Sequence, residues 1–206
     1  PDPDRYEHKF EYCDILVVGS GPSGLASALA AAKNGSKVIL AEDKPRFGGS
    51  LLTTDVNIGN QTGVEWTKKI ISELKSMSNV IVKNRSQVFG YYDHNMLVMN
   101  ERLSDHLPKT ENHTPKQRLW YIRAKEVVIS SGSIERPLVF GNNDTPGVML
   151  SSAAKEYMKV YGVLVGRKPL IFTNNDSGYE TAIEFKKNGI DPLVLDTRKD
   201  PKSDII

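Results

Sequence analysis

Cysteine is almost absent from this chain: Cys13 is the only one in 206 residues. A single thiol excludes an internal disulfide, and it excludes the paired redox cysteines with which flavin disulfide reductases pass electrons to thiols. Cys13 is read instead as a small residue leading into the first strand. Neither sign of charge is in excess, with 27 Lys and Arg against 25 Asp and Glu, and the basic residues are scattered rather than striped. Nucleic acid is therefore not expected as a partner. No apolar run approaches the roughly 18 residues of a membrane-spanning helix, so no membrane is expected. Pro1-Asp2-Pro3-Asp4-Arg5 lacks the charged and apolar regions of a signal peptide, and a cytoplasmic setting is expected. No histidine and acid can be placed beside a serine as a triad, and nothing makes His94, His106, Asp93 and Asp105 converge as metal ligands must. No catalytic residue and no metal ligand is assigned.

What the chain does have is concentrated between residues 14 and 43. The apolar run Asp14-Ile15-Leu16-Val17-Val18 leads into Gly19-Ser20-Gly21-Pro22-Ser23-Gly24, an alanine-rich segment, and Lys37-Val38-Ile39-Leu40-Ala41-Glu42-Asp43. This is the order strand, glycine turn, helix, strand, acid. Gly19 suits a tight turn, Gly21 leaves room for a pyrophosphate, and Gly24 lets helix and strand pack closely. Phosphates favour such a helix start, where backbone N–H groups and the dipole both attract negative charge. Glu42 falls about 20 residues beyond the turn, where an acid can hold the adenosine ribose. The same features serve FAD and NAD alike.

After this unit comes a loop with the paired glycines Gly48-Gly49 and then Ser50, followed by helical spacing from Val64 to Met77 and a short strand at Val80-Ile81-Val82. An antiparallel β-meander is expected at about 86–123, from Gln87 to Tyr92, Met96 to Met99 and Arg118 to Ile122, with a polar loop from Ser104 to Gln117. Tyr91, Tyr92, Trp120 and Tyr121 are expected in its core, paired across strands. Glu126 to Gly132 then reads as a separate buried strand, and Arg136-Pro137 either as a linker or as a contact to cofactor or partner. A second βαβ unit follows a helix at Ser151 to Tyr161, but its turn, Thr173-Asn174-Asn175-Asp176-Ser177-Gly178, lacks the first two glycines. It is expected to be architectural. The fold class is therefore α/β: a Rossmann-like βαβ domain with an inserted meander, plus the start of a second, degenerate Rossmann-like unit. The expected divisions are a linker at 1–13, a first domain at 14–150 and an incomplete second domain at 151–206, whose uncovered edge suggests part of a longer polypeptide.

Two βαβ units separated by a meander, with Ser130-Ser131-Gly132 near the junction, resemble the two-dinucleotide-domain flavoproteins. Phe89-Gly90-Tyr91-Tyr92-Asp93-His94-Asn95, Ile134-Glu135-Arg136-Pro137-Leu138, Asn142-Asn143-Asp144-Thr145-Pro146-Gly147-Val148 and Phe172-Thr173-Asn174-Asn175-Asp176 narrow this. They resemble the alpha subunit of heterotetrameric sarcosine oxidase, along nearly the whole chain. That resemblance implies a complex with beta, gamma and delta subunits that oxidises sarcosine to glycine, with tetrahydrofolate as methylene acceptor and oxygen as electron acceptor. It implies NAD in the alpha chain, with FAD as the alternative, and FAD and FMN elsewhere in the complex. The contacts it implies are Gly19, Gly21, Pro22, Ser23 and Gly24 at the pyrophosphate, and Glu42, Asp43 and Lys44 at the ribose. Gly49 and Ser50 in the loop, Val88 at the adenine and Gly132 complete the set. The alternative is an FAD- or adenine-nucleotide-binding subunit of a dehydrogenase for proline, opines or cyanide-forming glycine oxidation.

Overall fold

The computed structural model describes residues 4–108 and 114–201. The first few residues of the expected linker and the middle of the loop from Ser104 to Gln117 lie outside them. The chain packs as two units, residues 1–132 and 133–206.

In the first unit the elements run β1 (Tyr6–Val18), α1 (Pro22–Lys33), β2 (Val38–Ala41), β3 (Asn57–Ile58), β4 (Gln61–Thr62), α2 (Gly63–Ser76), β5 (Val80–Lys83), β6 (Ser86–Tyr92), β7 (Met96–Arg102) and β8 (Gln117–Ile129). Six strands form one sheet in the order β5-β2-β1-β8-β7-β6. The pairs among β5, β2, β1 and β8 are parallel, and β8, β7 and β6 are antiparallel. Parallel strands are buried on both faces, which is why β2 is apolar at every position. Val17, Val38 and Leu40 meet α1 and α2 through Leu25, Ala28, Ile70, Ile71 and Leu74. Their neighbours Leu16, Ile39 and Ala41 point the other way, into a cluster with Leu97, Met99, Trp120 and Ile122 from the meander. α2 opens with a capping box, in which Thr62 Oγ1 accepts from the Glu65 amide while the Glu65 carboxylate accepts from the Thr62 amide. The expected α/β, Rossmann-type class is what the chain adopts.

Three expectations are corrected by the structure. Tyr6 to Cys13, placed in a linker, form the first half of β1, in register with Gln117 to Ala124 of β8. The third meander strand and the strand from Glu126 are one continuous β8. Arg123, Lys125 and Glu126 are exposed while Ala124 is buried between Arg123 and Lys125, and this polar stretch hides the continuity of the strand. Of the four aromatics expected in the core, Trp120 is buried, whereas Tyr91 and Tyr92 are exposed. Tyr121 lies on the outer face, stacked on Phe10 at 4.9 Å between ring centroids. A register shift between Val88 and Gly90 re-aims the edge strand. Trp120 Nε1 donates to Glu101 Oε2 at 2.7 Å, and Lys83 Nζ donates to Glu101 Oε1 at 2.8 Å. The buried acid is thus paired.

In the second unit α3 (Ser151–Tyr161) precedes β9 (Leu170–Thr173), α4 (Ser177–Lys187) and β10 (Leu193–Asp196), and β9 and β10 pair in parallel. The division before Ser133, earlier than the expected 150/151, reflects Glu135, whose carboxylate accepts from the first-turn amides of Ser151 and Ser152 in α3. Gly162 ends α3 at φ 66°. Ile171, Ala182, Phe185, Ala154 and Met158 make the core, while Leu170, Phe172, Leu193 and Leu195 of the sheet are exposed. No helix among the described residues is long and apolar enough to cross a membrane.

Candidate dinucleotide-binding site

The end of β1 runs into Gly19 at φ +99°, a conformation L side chains rarely adopt. A Cβ on Gly19 would lie 2.3 Å from the Ser130 carbonyl oxygen, and one on Gly24 would lie 2.0 Å from the Gly19 carbonyl oxygen. These two glycines weld turn, helix and strand end together. Gly21 differs: its φ is −66°, open to any residue, and a Cβ there meets nothing within 4 Å. The space belongs to no protein atom. α1 begins with Pro22 and has no side-chain cap, so its Ser23 and Gly24 amides face out of the first turn beside that space.

A second glycine loop packs against the backbone of this turn. Gly49, at φ +52°, packs so tightly that its Cβ would lie 2.9 Å from Gly21 Cα. Glu42, at the tip of β2, is buried, and Oε2 accepts from the Ser20 amide at 3.0 Å and the Ser20 hydroxyl at 2.5 Å. Oε1 accepts from the Lys44 amide at 2.9 Å. Burial pushes the Glu42 carboxyl up from its usual range, a hydrogen bond with Asp43 adds to this, and the bonds from Ser20 and Lys44 oppose it. Asp43, Lys44 and Ser50 are exposed around this acid and loop. Arg102 donates to the Asp43 carbonyl at 2.6 Å.

The glycine turn, the acid and the second glycine loop are thus joined: Ser20 bonds Glu42 and Gly48, and Gly49 packs on the Gly21 backbone, with Pro22, Ser23 and Gly24 at the α1 start and Asp43, Lys44 and Ser50 exposed next to the acid and the loop. Val88 stands apart in character. Its strand reaches the acid, since the Ser86 amide donates to the Glu42 carbonyl at 2.7 Å, but its side chain packs toward the Trp120 cluster. Gly132 is exposed at φ +72°, just past the Ser130-Ser131 backbone that supports Gly19. Sequence reasoning missed Ser20, whose only signal is a hydroxyl between two motif glycines.

The second βαβ turn is built differently. Gly178 keeps the packing duty, since its Cβ would lie 2.6 Å from Thr173 Cβ. Asp176 stands at the N-cap of α4 with Arg198 Nη1 at 2.8 Å from its Oδ1. Arg198 also grips Asp196, at the tip of β10, through Nε and Nη2, which holds the Asp196 carboxyl down to about 2. Among the described residues no three His, Cys, Asp or Glu side chains group as metal ligands. His94 sits in a turn at φ 58°, and His106 lies beside Asp105.

The chain is 43% identical over 198 residues to the sarcosine oxidase alpha subunit of Rhizobium meliloti strain 1021, a match covering 96% of this chain and 20% of that protein. It is 37% identical over 199 residues to the same subunit of Corynebacterium sp. strain P-1, covering 96% and 21%. The chain is homologous to part of the sarcosine oxidase alpha subunit. It spans about a fifth of the length of these alpha-subunit relatives. A family model described as FAD dependent oxidoreductase matches residues 14–113. Among solved structures the fold is like that of L-proline dehydrogenase from P. horikoshii, with a TM-score of 0.74 at 23% identity over 96% of this chain and 38% of that one.

Proposed function

We propose that this chain is the NAD-holding part of an oxidoreductase subunit, in an assembly with beta, gamma and delta partners in the cytoplasm. That assembly oxidatively demethylates sarcosine to glycine, using tetrahydrofolate as methylene acceptor and oxygen as electron acceptor, with FAD and FMN elsewhere in it. The observation that carries the reading is the open space at Gly21 beside the α1 start, in a turn that Ser20 bonds to the buried acid Glu42 and to the Gly48 loop. In this reading the Ser23 and Gly24 amides hold the pyrophosphate, and Glu42 with Asp43 accepts hydrogen bonds from the adenosine ribose. Bound NAD supplies hydride chemistry or simply fills the site. Mass spectrometry of nucleotide released by heating the full-length protein tests the assignment, and the absence of any adenine dinucleotide overturns it.

The family model over residues 14–113 favours a second reading, FAD at the same turn, as in a proline, opine or cyanide-forming glycine dehydrogenase. A yellow protein releasing FAD from this site selects it.

NAD is expected to bind more tightly than NADP, because a 2′-phosphate meets the carboxylates of Glu42 and Asp43. Competition titration at moderate salt checks this, and equal affinity for the two refutes it. Residues 1–206 alone are expected to produce no sarcosine-dependent hydrogen peroxide, even when supplied with flavins, since amine oxidation needs a flavin next to the substrate and the resemblance implies that this flavin belongs to another subunit. Peroxide production by the purified piece contradicts that expectation.

A further inference from the structure

Ser20 ties the glycine turn to the acid Glu42 and to the Gly48 loop. Its Oγ donates to Glu42 Oε2 at 2.5 Å and accepts from the Gly48 amide at 3.2 Å. Its own amide donates to the same Glu42 oxygen at 3.0 Å, and its carbonyl accepts from Gly48 at 3.1 Å. Ser20 is 1% exposed and Glu42 6%, so these bonds form away from water, where charge-assisted hydrogen bonds are strong and geometrically demanding. A carboxylate free to rotate about its last torsion presents no fixed acceptor to a ribose. Two donors on Oε2 and the Lys44 amide on Oε1 fix its plane.

We propose that Ser20 is a positioning residue for ribose recognition: its hydroxyl orients the Glu42 carboxylate toward the adenosine ribose and links it to the loop that begins at Gly48. This rests on the proposed dinucleotide reading and deepens it. Ser20 touches no ligand atom and acts through Glu42. Removing the hydroxyl leaves the backbone bonds of residue 20 to Glu42 and Gly48 in place, so the turn persists while the carboxylate loses its shortest restraint.

The test is calorimetric titration of the nucleotide-stripped full-length polypeptide with NAD and with NAD lacking the adenosine 2′-hydroxyl. Ser20→Ala is expected to weaken NAD binding roughly tenfold and to weaken binding of the deoxy analogue far less. Ser20→Cys, which keeps a weaker donor, is expected to fall between wild type and Ser20→Ala for NAD alone, and it carries the test if the alanine variant does not fold. Glu42→Gln is expected to lose ribose discrimination, after which Ser20→Ala adds less than about threefold, as coupled neighbours do. Equal losses for NAD and the deoxy analogue, or no loss at all, overturn the role of Ser20 and leave the dinucleotide reading standing. Wild-type protein that binds no NAD overturns both.

Discussion

Gly21→Val is expected to empty the nucleotide site and leave the fold intact. The two halves of that outcome have separate causes. Residue 21 sits at φ −66°, which valine adopts freely, and a Cβ there meets no protein atom within 4 Å. Folding therefore has nothing to resist. The isopropyl group instead fills the space beside the α1 amides that the pyrophosphate needs. Nucleotide content should drop to background while circular dichroism and the melting temperature stay close to wild type. Gly24→Val is the contrasting control, since its Cβ would collide with the Gly19 carbonyl and disturb the turn itself. A folded Gly21→Val protein with full nucleotide content defeats the site assignment.

Trp120→Ala is expected to cost about 3–5 kcal/mol, the usual range for deleting a buried large aromatic. Trp120 is 1% exposed, and it lies at the centre of the cluster joining the meander to Leu16, Ile39 and Ala41 of the parallel strands. Its loss opens a cavity there and takes from buried Glu101 the indole donor on Oε2, leaving Lys83 on Oε1 and the longer bond from Arg118 on Oε2. Against a typical total stability of roughly 5–15 kcal/mol, that is a large fraction of what holds the first unit. Urea denaturation followed through Trp66, the remaining tryptophan, measures it. A loss under about 1 kcal/mol contradicts the central place given to this side chain.

The glycine turn was legible because each of its demands acts locally: two glycines must pack against backbone and one must leave space, and no other residue type does either. β2 was legible because burial on both faces needs an unbroken apolar run. β1 and β8 were harder to read. In β1 the residues Glu7, Lys9 and Glu11 alternate with His8, Phe10 and Tyr12 before the strand enters the parallel core, and in β8 the polar Arg123, Lys125 and Glu126 surround Ala124 where the strand enters it. Ion pairs such as Lys125 Nζ to Asp14 Oδ1 at 2.8 Å make that polarity part of the strand rather than its end. Glu135 and Ser20 were illegible for another reason. Their partners, the α3 amides and the Glu42 carboxylate, are distant in sequence, and nothing in local propensity reports a hydrogen bond across 16 or 22 residues.

The one thiol of the chain lies on β1, fully buried opposite Ala124 of β8, and burial pushes it up to about 12. Reagents attack the thiolate, which this thiol scarcely forms while the strand is in place. Alkylation of Cys13 therefore has to wait until β1 parts from its neighbours, and its rate is a clock for how often the central sheet opens.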